Sequence, residues 1–265
     1  MDGAAGGIGR MGIPDFRTRV RAGTPLAGTF MKTPVVDVLE VLILSGLDFV
    51  CLDAEHAPFD RSSMNVCAAL ARAADFPLLV RVASAEAAQI GAALDLGAVG
   101  VVVPHVTSAE GAVRVARLAR FGPGGRGYAG STRWAGFATR PMPELLARSR
   151  DETVVFAQIE DPEAVDAVEE IAATAGIDAL FLGPADLSVG YGKETQDSPE
   201  LQAAQARVAA AAQAAGLGCA TFVPDVAAAT ALSERHGFGC FFIASEHGWM
   251  LQGARSAVAG IRALV

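Results

Sequence analysis

Polar side chains that can do chemistry stand directly after apolar runs at several points of the sequence. The clearest is the segment VCLDAEHAPFD, whose apolar run stops at Asp53, Glu55 and His56. Carboxylates and an imidazole can hold or transfer protons near neutral pH. A helix cap also explains such a cluster, and Asp60 is a cap candidate. Similar clusters after several strands of one sheet favour a catalytic site instead.

Two further carboxylates are candidates for a metal site. Glu160 in FAQIEDPEAV and Asp186 in ALFLGPADLSVGYG follow neighbouring apolar runs. On adjacent parallel strands they could share a divalent cation, and oxygen ligands suit Mg²⁺ or Mn²⁺, whereas zinc favours His or Cys. Taken singly, Glu160 could cap a helix and Asp186 could start a turn. Gln158 would share the face of Glu160 and contact the ligand or support the metal.

Arg81, in LLVRVAS, ends a strand that is otherwise apolar. Its permanent charge needs an anion, and its planar fork fits a carboxylate or an enolate oxygen. A structural ion pair with Asp53 or Glu55 is the alternative. Both possibilities remain open at the level of sequence.

A proton-transferring base is predicted at His56, with Asp53 in support, because His56 has acidic neighbours. His105 and His247 also follow apolar runs, so the choice is not unique. A lysine Schiff base would be a competing route. Lys32, just past the first strand, is the plausible candidate for it, since Lys193 lies in a glycine-flanked loop.

The elements that must position these residues are repeated βα units, because short apolar runs alternate with stretches rich in Ala, Leu, Glu and Arg. Eight units in about 240 residues predict an α/β fold with one domain over residues 1–265, a (β/α)8 TIM barrel. A doubly wound open sheet is the runner-up. The predicted strands are Leu26–Met31, Asp48–Leu52, Leu78–Val82, Val99–Val103, Val154–Ile159, Ala179–Leu182, Cys219–Val223 and Cys240–Ala244.

The clearest predicted helices are Thr107–Arg120, Pro162–Ala175 and Ser198–Ala215. Residues 1–22 are predicted to be a flexible N-terminal extension, and residues 121–151 a long active-site or interface loop. The early GAAGGIG stretch lacks a preceding strand, so it is not interpreted as a dinucleotide-binding motif.

Composition excludes several classes of partner. The formal net charge of −8 argues against nucleic acid or an anionic membrane surface. The sequence has neither an apolar membrane span nor a signal-peptide pattern, so a cytoplasmic location is expected. The four cysteines are far apart and form no C-x-x-C pair, which predicts buried, reduced thiols.

Six separated motifs resemble, in order and spacing, those of the HpcH/HpaI aldolase family, the metal-dependent 2-oxo-acid aldolases. They are LDAEHAPFD, VRV, ALDLGAVGVVVPHV, GRGYAGSTR, QIE and GPADLSVGYG, within about Gly28 to Val223. The resemblance implies a (β/α)8 barrel, commonly a homohexamer, and a Mg²⁺, Mn²⁺ or Co²⁺ cofactor. It also implies metal ligation by Glu160 and Asp186 and contact of Arg81 with the pyruvate oxygens.

The same resemblance implies proton transfer by His56, with Gln158 and Asp53 in support. We further predict that Pro184 and Ala185 line the substrate pocket. Asp95 matches a family position but lies at the wrong end of its own barrel, so it could act only across a subunit interface.

The predicted function is reversible retro-aldol cleavage of a 4-hydroxy-2-oxo acid to pyruvate, or a related 2-oxo acid, and an aldehyde. One alternative is a CoA-ester lyase of the malyl or citryl type, for which Arg126, Arg133 and Arg140 could supply a basic surface. Another is a non-catalytic oxo-acid-binding protein. The last strand departs from the family pattern in IASEHGWML, at Glu246 and His247.

Overall fold

The computed structural model describes residues 12–264 and contains a closed barrel of eight parallel strands paired in chain order. Closure comes from pairing of the first strand with the last as well as with the second, which confirms the predicted (β/α)8 barrel over an open sheet. The strands are β1 Leu26–Met31, β2 Phe49–Asp53, β3 Leu78–Arg81, β4 Gly100–Val103, β5 Val154–Ile159, β6 Ala179–Leu182, β7 Gly218–Val223 and β8 Cys240–Ser245.

Helices follow every strand and surround the barrel. They are α1 Ile13–Arg21, α2 Val36–Leu44, α3 Arg61–Ala73, α4 Ala87–Leu96, α5 Ala109–Leu118, α6 Met142–Glu152, α7 Pro162–Asp166, α8 Val168–Ala172, α9 Pro184–Gly190, α10 Pro199–Ala214, α11 Val226–His236 and α12 Glu246–Arg262. The prediction for α10 is confirmed, and Gly216 follows it with a φ of +65°. The predicted helix 162–175 is interrupted at Ala167, which separates α7 from α8.

The barrel interior is filled by aromatic side chains. The ring of Phe242 lies 4.8 Å from those of Phe49 and Phe181 and 4.9 Å from that of Phe30, measured between centroids. Gly28 is required beside them, because a Cβ at that position would lie 2.3 Å from the Phe49 ring. The interior is therefore a packed core, and only the ends of the barrel are available for a site.

Helix α1 closes the N-terminal end of the barrel. Ile13, Phe16 and Val20 are buried in the same cluster as the interior aromatic residues, and Arg17 forms an ion pair with the buried Asp178 at 2.8 Å. The prediction of a flexible extension over residues 1–22 is therefore wrong for residues 13–21, whose apolar face seals the core. The GAAGGIG stretch lies outside the described residues.

The predicted loop 121–151 is partly helical, because α6 takes up its second half. The remainder is fixed to the barrel by two contacts. The indole of the buried Trp134 donates a hydrogen bond to Glu152, and Arg126 donates to Asp95. Barrel helices run opposite to the strands, so this connection from α5 to β5 lies at the N-terminal end of the barrel. It therefore does not form part of its own active-site rim; a role at an interface remains a prediction.

All four cysteines are buried and free, as predicted. Burial raises the pKa of the Cys67 thiol to about 11. Among residues 12–264, every helix is too short or too polar to cross a membrane.

Candidate active site

A pocket of about 260 Å³ opens at the C-terminal ends of the strands. Side chains from six of the eight strands, or from the turns after them, form its wall: Phe30, Lys32, Arg81, Gln158, Phe181, Gly183, Pro184, Ala185, Asp186, Phe222, Ala244 and Ser245. A larger depression of about 490 Å³ lies at the other end of the barrel, and half of the residues that line it are alanines. Its lining offers little chemistry, whereas the smaller pocket holds most of the predicted site.

Arg81 forms a buried ion pair with Asp53. Its Nε and Nη2 donate to the two carboxylate oxygens at 3.0 and 2.8 Å, and Nε lies 3.3 Å from Glu55. Burial opposes ionisation of Asp53, but the hydrogen bonds and charge of Arg81 outweigh it, so the pKa of Asp53 is lowered. The ion pair that the sequence left open is therefore formed. Nη1 has no hydrogen bond to the described residues and is the nitrogen left for a ligand.

Gln158 and Glu160 lie side by side, because they are two residues apart at the end of one strand. Gln158 Nε2 donates a hydrogen bond to Glu160 Oε2, while Gln158 Oε1 is buried with no partner among residues 12–264. Burial raises the pKa of Glu160, and the negative charges of Asp186 and Glu55 add to the effect, against the opposing influence of His105. The buried carboxylate of Glu160, close to other negative charges, would be stabilised by a bound cation.

The close approach of β5 to β6 depends on Gly183. A Cβ at this residue would lie 2.8 Å from the Cβ of Glu160 and 3.2 Å from its Oε2. The absent side chain leaves room beside the Glu160 carboxylate, on the side of Asp186. The two predicted metal ligands thus follow adjacent strands, paired from Phe156 with Ala179 to Ile159 with Leu182.

His105 and Asp161 lie beside Glu160, next to the pocket. The backbone N–H of His105 donates to Glu160 Oε1 at 2.9 Å, and its Nδ1 lies 3.0 Å from Asp161. One donor atom each from His105, Glu160 and Asp161 lie within 4.8 Å of one another, a grouping that could hold a metal ion. His105 also has a φ of +53°, an uncommon backbone conformation that concentrates at functional sites. The sequence analysis did not assign Asp161.

His56 lies at the outer edge of the rim. Its Nε2 is 3.6 Å from Glu55 Oε2, its backbone N–H donates to Asp53 at 3.1 Å, and its side chain is 57% exposed. The predicted acidic neighbours are therefore in place, but His56 is not part of the pocket wall. Its role in proton transfer remains a prediction.

The junction between β8 and β1 contains residues whose function the sequence analysis did not identify. The buried Glu246 accepts hydrogen bonds from the backbone N–H groups of Lys32 at 2.8 Å and Thr33 at 2.7 Å. His247 Nε2 contacts the Thr33 hydroxyl at 2.8 Å. An acidic residue directly after a strand was the available signal, but its partners are backbone groups that a side-chain pattern does not reveal.

Asp95 and the three arginines considered for CoA lie far from this pocket. Asp95 is in the last turn of α4, at the N-terminal end of the barrel, where it binds the buried Arg126. Arg133 donates to Asn65, and Arg140 pairs with Glu144. Each arginine already has a partner, so the expected basic surface for CoA phosphates is not formed at the pocket.

The fold and the pocket define a barrel enzyme whose acidic groups and one buried arginine converge at the C-terminal ends of the strands. The sequence model of the HpcH/HpaI aldolase/citrate lyase family matches residues 26–238. The chain belongs to this family, which confirms the resemblance and makes the protein a carbon–carbon lyase.

Relatives and solved structures match most of the chain. The hydroxypyruvate/pyruvate aldolase of Paraburkholderia phytofirmans is 35% identical over 93% of this chain and 97% of its own. The 5-keto-4-deoxy-D-glucarate aldolase of Citrobacter koseri is 38% identical over 77% of this chain and 79% of its own. The crystal structure of a family member from Burkholderia cenocepacia superposes with a TM-score of 0.88 at 33% identity, covering 94% of this chain and 99% of that one.

Proposed function

We propose that the protein is a divalent-metal-dependent aldolase that reversibly cleaves a 4-hydroxy-2-oxo acid to pyruvate, or a related 2-oxo acid such as hydroxypyruvate, and an aldehyde. The observation that carries the proposal is one pocket lined by Arg81, Gln158 and Asp186, with the carboxylate of Glu160 hydrogen-bonded to Gln158 beside it. The aldolases among the relatives support the same reaction.

The acidic residues fit a hard divalent cation. Glu160 and Asp186 are the proposed ligands, and His105 and Asp161 lie beside Glu160. The unpaired Oε1 of Gln158 and the space left by Gly183 are consistent with a missing cationic neighbour. A Mg²⁺, Mn²⁺ or Co²⁺ ion bound here would act as a Lewis acid on the 2-oxo group of the substrate.

The residues of the chain provide the remaining steps. In cleavage, a base removes the proton of the 4-hydroxyl, the C3–C4 bond breaks, and its electrons pass to the 2-oxo oxygen as enolate charge. The free Nη1 of Arg81 stabilises that charge, and Asp53 holds the guanidinium in position. A donor fixed before the reaction begins needs no reorganisation in the transition state. Reprotonation at C3 then releases the 2-oxo acid.

His56 is the proposed base, and His105 is its competitor. His56 lies against Glu55, whereas His105 lies against Glu160 and Asp161, closer to the proposed metal ligands. His56→Asn should lower kcat for cleavage by about 10²- to 10⁴-fold while pyruvate still binds. If His105→Asn alone has that effect, the base is His105.

Two alternatives have weaker support. Lys32 pairs with Asp53 at 3.4 Å, and an ion-paired ammonium has no free electron pair for imine formation. A CoA-ester lyase would need a cationic surface near the pocket, and the three candidate arginines are engaged at the opposite end. A non-catalytic oxo-acid-binding protein would bind pyruvate without exchanging its methyl protons.

The decisive experiment follows exchange of the pyruvate methyl protons for deuterium, with and without a chelator, and Mn²⁺ binding by electron paramagnetic resonance. Exchange should vanish in the chelator and return with Mg²⁺, Mn²⁺ or Co²⁺. Glu160→Gln should lose both Mn²⁺ binding and exchange, whereas Glu163→Gln makes the same change on the exposed face of α7 and should lose neither. Exchange that survives chelation, or a borohydride-trapped lysine adduct, would contradict the proposal.

We also propose a cytoplasmic homohexamer. Large apolar side chains of α12 are exposed in the single chain, among them Met250, Leu251, Val258 and Ile261, and burial of this face would favour association. The four buried thiols suit a reducing compartment. Light scattering coupled to size exclusion should give six times the mass of one chain; a monomer would contradict the assembly.

A further inference from the structure

Lys32 contributes a second positive charge to the wall of the pocket. It follows β1, its side chain is 34% exposed, and it lines the same pocket as Arg81 and Gln158. Only two of the 21 basic residues of the chain are lysines. The other, Lys193, lies on the surface and pairs with Glu200 at 2.7 Å. A chain that otherwise uses arginine therefore has a compact, rotatable ammonium group at its pocket.

The hydrogen-bonding capacity of this ammonium is unused. Lys32 Nζ lies 3.4 Å from Asp53 Oδ2, the oxygen that already accepts a hydrogen bond from Arg81 at 2.8 Å. Lys32 Nζ makes no hydrogen bond to any side chain or carbonyl within the described part of the chain. An ammonium has three N–H donors, so Lys32 can bind a further anion without giving up a bond.

The backbone that carries Lys32 is fixed, although the end of its side chain is free. Glu246 Oε1 accepts hydrogen bonds from the N–H groups of Lys32 and Thr33, and Glu246 is 3% exposed. These bonds join the turn after β1 to the start of α12. The Cα of Lys32 is therefore fixed, while its side chain can still change conformation to place the ammonium against a ligand.

Lys32 stands across the pocket from the proposed metal ligands. In a closed barrel of eight strands paired in chain order, β1 lies opposite β5, which carries Gln158 and leads into Glu160. The pocket of about 260 Å³ is below the roughly 300–1,000 Å³ of sites for drug-sized ligands, so a short substrate can reach both walls. The wall near Lys32 includes Phe30, Phe222 and Ala244, whose side chains offer no hydrogen bonds.

We propose that Lys32 binds a carboxylate at the far end of the substrate and thereby selects acceptor aldehydes that carry an acid group. The inference rests on the proposed aldolase function, in which the 2-oxo acid end occupies the opposite wall. Lys32 is then a specificity residue: it contacts the aldehyde-derived half and takes no part in enolate formation.

The test compares acidic and neutral aldehydes of equal carbon number in condensation with pyruvate and Mn²⁺. Glyoxylate is paired with glycolaldehyde, and succinic semialdehyde with butanal. Lys32→Met should lower kcat/KM for at least one of the two acids by about 10- to 100-fold, the range for one hydrogen bond to a charged group, and leave its neutral counterpart nearly unchanged. Lys32→Arg should retain part of the preference. Lys193→Met removes the same charge from the surface and should change kcat/KM for neither the acidic nor the neutral aldehydes.

Deuterium exchange into pyruvate without any aldehyde separates this inference from the proposed function. Lys32→Met should exchange at nearly the wild-type rate, which also shows that the site is folded; Lys32→Gln gives a second measurement if the Met variant does not fold. A wild-type enzyme that exchanges but does not prefer acids, or an equal loss on acids and neutral aldehydes, would overturn the role of Lys32 alone. Absence of exchange with Mg²⁺, Mn²⁺ and Co²⁺ would overturn both.

Discussion

Replacing Arg81 by Met should have two separate effects, one on stability and one on turnover. Arg81 is 7% exposed and Asp53 fully buried, and the pair is joined by two hydrogen bonds. Removing one partner of such a pair typically costs about 3–5 kcal/mol, and the buried Asp53 would keep only the more distant Lys32, at 3.4 Å, as a cationic neighbour. For a domain of this size, each kcal/mol lowers Tm by about 2–4 °C, so a fall of about 6–20 °C is expected.

The effect on turnover has a different origin. Loss of a fixed donor to a developing negative charge typically lowers the rate by about 10²- to 10³-fold. Combining Arg81→Met with Asp53→Asn separates the two effects, because the second change removes the unpaired charge but restores no donor. The double variant should therefore recover much of the lost stability and none of the lost turnover.

The assay combines urea unfolding followed by circular dichroism with deuterium exchange into pyruvate, expressed per folded molecule. If Arg81→Met retains the wild-type exchange rate per folded molecule, the guanidinium serves only Asp53 and its proposed substrate role is wrong. If the double variant is no more stable than Arg81→Met, the unpaired Asp53 is not the source of the instability.

Three further predictions concern other parts of the chain. Asp178→Ala should cost about 3–5 kcal/mol in urea unfolding and leave pyruvate exchange per folded molecule intact, because three arginines lose a buried partner at the N-terminal end of the barrel. Burial opposes the charge of Glu152, but Arg72 and Arg148 outweigh it and lower its pKa. The stability Glu152 provides is therefore present above the ordinary pKa of a glutamate and lost as the pH falls through the lowered value, so Glu152→Gln should flatten the acid side of a plot of Tm against pH. Gly183→Ala should weaken Mn²⁺ binding in a titration, because its Cβ would displace Glu160, while Gly91→Ala, with nothing within 4 Å, should leave Mn²⁺ binding unchanged.

The strands could be predicted because parallel barrel strands are buried on both faces and appear as uninterrupted apolar runs. Three of the eight predicted strands match the structure at both ends. The other five differ from it by one residue at one end or at both. Helix α1 was missed because its short segment contains a proline and three arginines, while its three buried residues give little signal. The helix is fixed by contacts with residues distant in sequence: Phe16 packs against Phe49, and Arg17 pairs with Asp178.

The candidate site could be predicted for polar residues that directly follow an apolar strand, because the strand's end fixes their place at the C-terminal rim of the barrel. Gln158, Asp186 and Arg81 line one pocket for this reason, and Glu160 lies beside it, bonded to Gln158. The partnership of Glu246 with two backbone N–H groups was not predictable, because it depends on the register between β8 and β1 and not on any side-chain pattern. The sequence left the long segment after α5 as either an active-site or an interface loop, since length and glycine content do not reveal at which end of the barrel a connection lies.

The two walls of the pocket differ in whether their charges are balanced. On one wall, Asp53 and Glu55 neutralise Arg81, and that wall is complete before any ligand arrives. On the other, burial raises the pKa of Glu160 and the negative charge of Asp186 adds to the effect, and no arginine or lysine forms an ion pair with either among the described residues. Because desolvated carboxylates that repel one another are stabilised by a bound cation, the proposed metal would supply on the second wall the positive charge that Arg81 supplies on the first. The balanced wall can hold a donor in place while charge develops, and the unbalanced wall would provide the affinity for the proposed metal and, through it, for a chelating 2-oxo acid.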